Sequence, residues 1–496
     1  MKAPLGGCES LAANLTVAAL AARSARKPTV VIDVTGNCNL RCEHCWNVGY
    51  LGSELPKEEI LALIGRIPGQ ARVHLLGGDP LLHPALPEIV RFAADRGHYT
   101  SLVTNGVALS CASVEGLLDS GLAEIGISLD GPDAQTHDAI RGAGSFDRGW
   151  AALERTSRAI QAGHPGTMLT VSATAMQMNL PHLPRLVERL GTSGIFVDIV
   201  VVAFGYAQGR AKAAGRLDEG SKGPVDPAAW LGVAEEICRA FKRHPRLQHL
   251  NLRAPPLVHE FLTTTTGVYL LDSVTGCPAL DAPFGGRVTS DGRVYSCGRD
   301  FLIERARAAG LFPHEGLHHA SLVAQGREPF GQAGFRDVLE NHRRHPRVAL
   351  CESCRWKIDC LQCPILSCLG EERGSALCRP ILDRYPDPAT WRRRAASEPA
   401  GEAPAPEGTL RLSPDVYDRE ARDGRVLVLS VDLDRAVEFT PGLHAGDVVR
   451  SARAGLGLAA ARAAYQERHP TEAWGHDEVA DRLVAEGLAS IAFPVA

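Results

Sequence analysis

The 496-residue chain reads as an α/β protein: a partial (β/α)6, TIM-like barrel, then a cysteine-rich extension, then a small C-terminal α+β domain. Three observations carry this reading. Between residues 29 and 205, short runs of Val, Ile and Leu alternate with longer helical segments. Eight of the 14 cysteines fall between residues 276 and 380, where long periodic segments are few. A Pro- and Ala-rich polar stretch, residues 395–408, then sets apart a final domain of ordinary small size.

The candidate strands are Thr29–Val34, Arg72–Leu76, Tyr99–Thr104, Glu124–Leu129, Met168–Ala173 and Ile195–Val202, and several run straight into Gly, Asn or Asp. Helical segments such as Pro56–Ile67, Pro84–Arg96 and Phe146–Ala162 lie between them, as crossover helices between parallel strands do. Chemistry in such a barrel sits at the C-terminal ends of the strands. Around the barrel (29–205) the expected organisation is an N-terminal helical segment (1–28), a helical bridging region (206–275) and the cysteine-rich domain (276–394). The linker (395–408) and C-terminal domain (409–496) complete it. The C-terminal domain carries strand-like Arg425–Ser430 and Ala436–Phe439, then helical Ala445–Ala454, Leu458–Arg468 and Asp477–Glu486.

The 53 Lys and Arg nearly balance the 57 Asp and Glu, for a net charge of −4, so a globally basic nucleic-acid binder is not expected. No run of 18 apolar residues exists, so no membrane span is expected. Leu5-Gly6-Gly7-Cys8 has the look of a lipoprotein cleavage box, but no apolar region precedes it. The chain is therefore expected in the cytoplasm, where clustered thiols hold metal rather than form disulfides.

Just after the first strand stands Cys38-Asn-Leu-Arg-Cys42-Glu-His-Cys45-Trp46. Three thiolates at this spacing can surround one centre, yet they are one short of the four that close a structural zinc or iron–sulfur site. A cubane held this way keeps one iron open. A zinc reading needs a fourth ligand, and His44, inside the Cys42–Cys45 pair, is awkwardly placed to chelate the same metal.

The CxxxCxxC loop after the first barrel strand resembles the radical S-adenosylmethionine (SAM) enzymes. The resemblance implies a [4Fe–4S] cluster on Cys38, Cys42 and Cys45 whose open iron takes the amino and carboxylate groups of SAM. It also implies reductive cleavage to a 5′-deoxyadenosyl radical and an electron donor such as flavodoxin or ferredoxin. Gly77-Gly78-Asp79-Pro80 resembles the family's GGEP turn, with Asp for Glu. Asn105 ends the third strand, Ser128 and Asp130 lie in the fourth strand-end segment, and Arg141 matches an arginine that pairs with the SAM carboxylate. With Trp46, these residues make up the cofactor-binding set that the resemblance implies.

The second cysteine region holds Cys277 and Cys297, on either side of an Asp291-Gly292 hairpin turn, then Cys351, Cys354, Cys360, Cys363, Cys368 and Cys378. It resembles the SPASM extension of radical SAM maturases, which carries two auxiliary [4Fe–4S] clusters, although the third gap here is two residues instead of three. The resemblance implies Cys277, Cys297 and Cys363 on the nearer cluster and Cys351, Cys354, Cys360 and Cys378 on the farther. Cys368 either closes the nearer cluster or leaves it an open iron. A zinc ribbon is the competing reading of the CxxC pairs. Cys8, Cys111 and Cys238 read as ordinary thiols, and Asp272, Asp281 and Asp300 as structural or solvated carboxylates.

Residues 409–493 resemble the winged-helix-like RiPP recognition element, the module that binds the leaders of ribosomally made, post-translationally modified peptides. They are similar to the peptide chaperone of pyrroloquinoline quinone biosynthesis. The resemblance implies that a leader adds as a strand near Ala436, Val437, Glu438 and Phe439, with the linker holding the precursor peptide close to the barrel. A DNA-binding winged helix is the alternative, but Asp432, Asp434 and Glu438 lie where phosphates would want cations. Together these resemblances imply a radical SAM maturase of a precursor peptide, making a crosslink or thioether or decarboxylating oxidatively. A sulfatase-type formylglycine maturase and an iron–sulfur, DNA-binding regulator are the competing functions.

Overall fold

The computed structural model describes residues 28–204 apart from 46, 48 and 49, then 225–270, 285–297, a few positions from 304 to 354, 375–391, and most of 410–491. Its centre is a ten-stranded sheet in the order β10-β9-β8-β1-β2-β3-β4-β5-β6-β7. Strands β1 (Thr29–Thr35), β2 (Arg72–Gly77), β3 (Tyr99–Thr104), β4 (Glu124–Ser128), β5 (Met168–Ala175), β6 (Val197–Phe204) and β7 (Leu247–Arg253) run parallel. Between them lie helices α1 (Lys57–Gly65), α2 (Leu86–Asp95), α3 (Cys111–Asp119), α4 (Ala134–Arg141), α5 (Ser145–Gly163), α6 (Leu183–Thr192) and α7 (Pro227–Lys242). All six expected strands form close to their predicted ends.

The alternation of side chains along each strand gives the sheet two different faces. Val30, Ile32, Val73, Leu75, Leu102, Ile125, Ile127, Leu169 and Val171 join Ile60, Leu63, Ile89, Val90, Leu117 and Leu153 of the helices in one buried core. The intervening positions put polar groups on the other face. Arg72 Nη2 donates to both Glu124 oxygens at 3.0 Å, Arg72 Nε donates to Ser101 Oγ at 3.0 Å, and His74 Nδ1 lies 2.8 Å from the same hydroxyl. A sheet polar on its second face can accept a polar ligand; an all-apolar one would be filled.

Two expectations need correction. The bridging region 206–275 is not only helix and loop: β7 lies within it and pairs with β6, so among the described residues the parallel run extends beyond the six expected strands. Its sequence, Leu-Gln-His-Leu-Asn-Leu-Arg, interleaves apolar residues with Gln, His and Asn, which hides a strand whose second face is polar. The helical expectation does hold for α7 and for α8 (Pro256–Thr266). The Asp291-Gly292 hairpin forms as expected between β8 (Gly286–Val288) and β9 (Arg293–Tyr295), with Gly292 at φ +83°. It is not separate from the barrel sheet, however, because β8 runs parallel beside β1 and β10 (Leu317–His318) pairs with β9. The N-terminal helical segment and Leu458–Arg468 fall mostly or wholly outside the described residues.

In the C-terminal region, β12 (Val416–Glu420), β13 (Val426–Ser430) and β14 (Arg435–Phe439) form an antiparallel sheet, while β11 (Leu410–Leu412) pairs with β15 (Ala489–Ile491). Val428, Val437 and Phe439 share a core with Val448 and Val449 of a helix at Ala445–Arg453 and with Val479 and Leu483 of one at His476–Ala485. The module docks on the barrel through β12. Glu420 N donates to Pro245 O at 2.9 Å, and Tyr417 Oη accepts from Tyr269 N at 3.0 Å. Arg419 lies 3.9 Å above the Phe241 ring and donates to the Phe241 carbonyl at 3.2 Å. Burial lowers the pKa of Arg419 to about 10. Among the described residues, no helix is long and apolar enough to cross a membrane.

The strand β8 is tied to β1 by a buried ion pair between Arg287 and Asp33. Removing one partner of such a pair leaves a buried charge facing no counter-charge, at a cost of about 3–5 kcal/mol. Arg287→Met is therefore expected to lower the free energy of unfolding in urea by an amount of that order. The double variant Asp33→Leu, Arg287→Met should recover much of the loss.

Candidate active site

The cysteine loop leaves the C-terminal end of β1. Gly36 is needed there because a Cβ would stand 1.6 Å from the Tyr50 carbonyl oxygen. Cys42 is buried, and Cys38 and Cys45 are partly so. Burial pushes the Cys42 thiol up to about 11, with Arg141 opposing, and burial raises Cys38 as well. Ligation to a metal would therefore expel protons from these thiols. Trp46 lies outside the described residues.

The turn after β2 is stitched to this loop. Gly77 has φ +138°, and a Cβ on it would lie 2.0 Å from the Thr35 oxygen; one on Gly78 would lie 2.0 Å from the Asn37 oxygen. Gly78 N donates to Thr35 O at 2.7 Å and Asp79 N to Asn37 O at 2.8 Å. The Asp79 side chain turns inward, accepting from Thr104 Oγ1, from Asn105 N at 2.9 Å and from Leu81 N at 3.1 Å. Burial raises its pKa, against those hydrogen bonds. Pro80 opens the 3-10 turn Pro80–Leu82. Asn105 Nδ2 in turn donates to Asn39 Oδ1 at 2.8 Å and lies 3.8 Å from Cys38 Sγ. The ends of β1, β2 and β3 thus meet at the cysteine loop.

The end of β4 adds Ser128, nearly buried, and Asp130, which is fully buried. Asp130 Oδ2 accepts from Arg141 Nε at 2.5 Å and pairs with His44 Nε2 at 2.7 Å, and Oδ1 accepts from Thr174 N at 2.8 Å. Burial would raise its pKa, but Arg141 and His44 outweigh it and hold the carboxyl well below the usual range. His137 Nδ1 accepts from Asp130 N at 3.1 Å, and burial lowers this imidazole to about 4, so it is neutral. Arg141 uses only Nε on Asp130; its two terminal nitrogens make no hydrogen bond among the described residues.

These residues fit a [4Fe–4S] cluster with SAM on its open iron. The loop offers three thiols and no fourth donor. Two glycines let backbone approach closely, and the Arg141 fork is free for a carboxylate. Asn47, two residues past Cys45, is buried with neither side-chain polar atom partnered among the described residues, as a group awaiting a ligand would be. No three His, Cys, Asp or Glu among the described residues are poised to hold a single metal ion.

Sequence reasoning singled out Gly77, Gly78, Asp79, Asn105, Ser128, Asp130 and Arg141, and all of them lie at the C-terminal ends of β2 to β4 or on α4, which follows. It missed the parts played by Asn37 and Asn39, which carry no motif, placed Thr104 at a strand end without seeing its bond to Asp79, and weighed His44 only as a metal ligand. Of the second cysteine region, Cys277, Cys351, Cys360, Cys363 and Cys368 lie outside the described residues. Cys297 follows β9, and Cys354 and Cys378 pack against the main core.

The neutral His137 has a pH signature. Its unfolded pKa is near 6.5 and its folded value about 4, so the unfolded chain binds the proton first. Its contribution is intact above pH 6.5 and is lost as pH falls toward 4, by up to about 3 kcal/mol. Urea unfolding between pH 7.5 and 4 should show this slope, and His137→Asn, which keeps an acceptor but does not titrate, should flatten it.

The Radical SAM superfamily profile matches residues 32–172. An AdoMet-dependent heme synthase of Oleidesulfovibrio alaskensis is 30% identical over 178 residues, 34% of this chain and 44% of that protein. A PqqA peptide cyclase of Rhodopseudomonas palustris is 35% identical over 168 residues, 32% of this chain and 42% of that one. The chain thus spans less than half the length of these two relatives. A GTP 3′,8-cyclase of Microcystis aeruginosa is 31% identical over 273 residues, 48% of this chain and 81% of the cyclase. A three-cysteine loop braced by the ends of successive parallel strands and a match running through most of the cyclase lead to one conclusion: the chain belongs to the radical SAM superfamily.

Proposed function

We propose that this chain is a radical SAM maturase that modifies a ribosomally made precursor peptide. The observation that carries the radical SAM chemistry is the convergence of Cys38, Cys42 and Cys45 with the Gly77-Gly78 turn and the Arg141 fork. When bound, a reduced cluster with an iron open to SAM supplies the electron that releases a 5′-deoxyadenosyl radical, which abstracts hydrogen from substrate. The protein's own share is placement. The three thiols would hold the cluster, the backbone of Gly77–Pro80 would bind the SAM amino group, and Arg141 would take its carboxylate. Asn105 and Ser128 bound the site from the neighbouring strand ends.

The peptide assignment is favoured by the C-terminal module together with the PqqA peptide cyclase relative. Strand β14 pairs with β13 on one side and has no strand partner on the other among the described residues. Val437 and Phe439 point into the core of the module, and Ala436 packs on the opposite face against Tyr417, Leu427 and Leu429, so a leader added here would be held by backbone. Arg482 already donates to the Glu438 carbonyl at 3.3 Å and would have to yield. The module docks at the N-terminal end of β7, whereas the cysteine loop leaves the C-terminal end of β1. A core peptide would therefore have to cross at least the length of a strand, about 23 Å or roughly seven extended residues, before reaching the site. Auxiliary clusters on the cysteines from Cys277 to Cys378 would serve electron transfer or substrate binding, and a flavodoxin or ferredoxin would reduce the enzyme in the cytoplasm. The heme synthase relative makes a porphyrin substrate the reading to test against.

Anaerobically reconstituted protein, reduced with dithionite, should cleave SAM to 5′-deoxyadenosine and methionine. The triple variant Cys38→Ala, Cys42→Ala, Cys45→Ala should lose one cluster's iron and all of this cleavage; persistence of cleavage would contradict the assignment. Deleting residues 401–496 should leave peptide-independent SAM cleavage in place and abolish modification of a cognate precursor peptide, to be sought among short reading frames beside this gene. Undiminished modification by the truncated protein would instead favour a formylglycine-type maturase that needs no leader-binding module.

A further inference from the structure

We propose that Asp130 is a positioning residue: a buried carboxylate that fixes the Arg141 guanidinium and, through His44, the cysteine loop in one geometry, so that the arginine meets the ligand carboxylate beside the cluster. This rests on the radical SAM reading above. It differs from the sequence expectation, which put Asp130 among the groups that contact the cofactor.

Accessibility argues against a direct contact. Asp130 is 0% exposed, and both of its oxygens are already engaged. The bonds come to the end of β4 from three other segments: the cysteine loop (His44), the end of α4 (Arg141) and the end of β5 (Thr174). Asn179 Nδ2 further donates to the Asp130 carbonyl at 2.7 Å, so the backbone is held as firmly as the side chain. A guanidinium commonly meets a carboxylate through two parallel bonds. Here Asp130 engages Nε alone and leaves the Nη pair as a fork aimed elsewhere. A buried carboxylate cannot drop these partners without a large desolvation penalty, so the arrangement has little room to drift.

The brace reaches the thiols through chain connectivity. His44 sits between Cys42 and Cys45, so its bond at 2.7 Å sets the stretch of backbone that carries both. A second tie runs parallel to it: Glu43 N donates to Ile140 O at 2.9 Å, one residue before Arg141. Together they lock the loop to α4, and the loop carries the cluster while α4 carries the arginine.

The test uses the full chain, reconstituted anaerobically with iron and sulfide, in wild-type, Asp130→Asn, His44→Gln and His44→Ala forms. Iron content and thermal midpoint report assembly; the EPR signal of the reduced protein during SAM titration reports ligand placement. Asp130→Asn should keep its iron yet need about tenfold more SAM for the spectral change, since a lost charge-assisted contact is worth about that factor. His44→Ala should shift in the same direction, and His44→Gln, which retains a donor at the Nε2 position, should restore most of the response. A titration of Asp130→Asn that overlays the wild type would overturn the proposal. So would His44→Ala and His44→Gln behaving alike, which decides the matter even if Asp130→Asn fails to fold. Failure of the underlying reading looks different: the wild-type signal itself would not respond to SAM.

Discussion

A carboxylate sealed from water must find its hydrogen bonds inside the protein, and here that requirement draws separate segments of chain into one site. Asp79 joins the ends of β2 and β3, and Asp130 joins the cysteine loop, β4, α4 and β5. The two differ in charge balance. Asp130 faces a guanidinium and an imidazole, which hold it ionised, whereas Asp79 has only neutral donors and burial raises its pKa. Loops at the end of a parallel sheet have no ladder of their own to order them. Buried acids after β2 and β4 supply that order.

The parallel sheet is what makes such convergence available. Each crossover returns the chain to the same end of the sheet, so residues far apart in sequence, from Cys38 to Thr174, reach one edge. The apolar face of each strand is committed to helices, and the opposite face carries Arg72, His74, Ser101 and Glu124 in mutual hydrogen bonds. Rigid support below and polar backbone above is the division of labour expected of a binding site on this architecture.

The C-terminal module sits at the other end of the strands, held by Arg419 over Phe241 and by backbone bonding of Glu420 to Pro245. On the proposed reading, recognition and chemistry would be separated by at least the length of a strand. On the proposed maturase reading, a firm dock would give a long peptide a fixed starting point, which a free tether would not.

Local chemistry was legible in the sequence wherever a backbone demand selects a residue type. Gly77 and Gly78, the three cysteines, the Asp291-Gly292 hairpin and the alternating strands β1 to β6 all announce themselves, because close approach, thiolate ligation, positive φ and burial each admit few residues. Strand β7 did not, since polar residues on its second face break the apolar run. Which partner a polar side chain chooses was also beyond the sequence. Asp130 and Arg141 were read as two ligand contacts, but their pairing, with His44 as the third member, follows only from folding that brings residues 86 positions apart to 2.7 Å. Long-range hydrogen bonding of this kind has no periodicity and no spacing rule, so tertiary structure alone decided it.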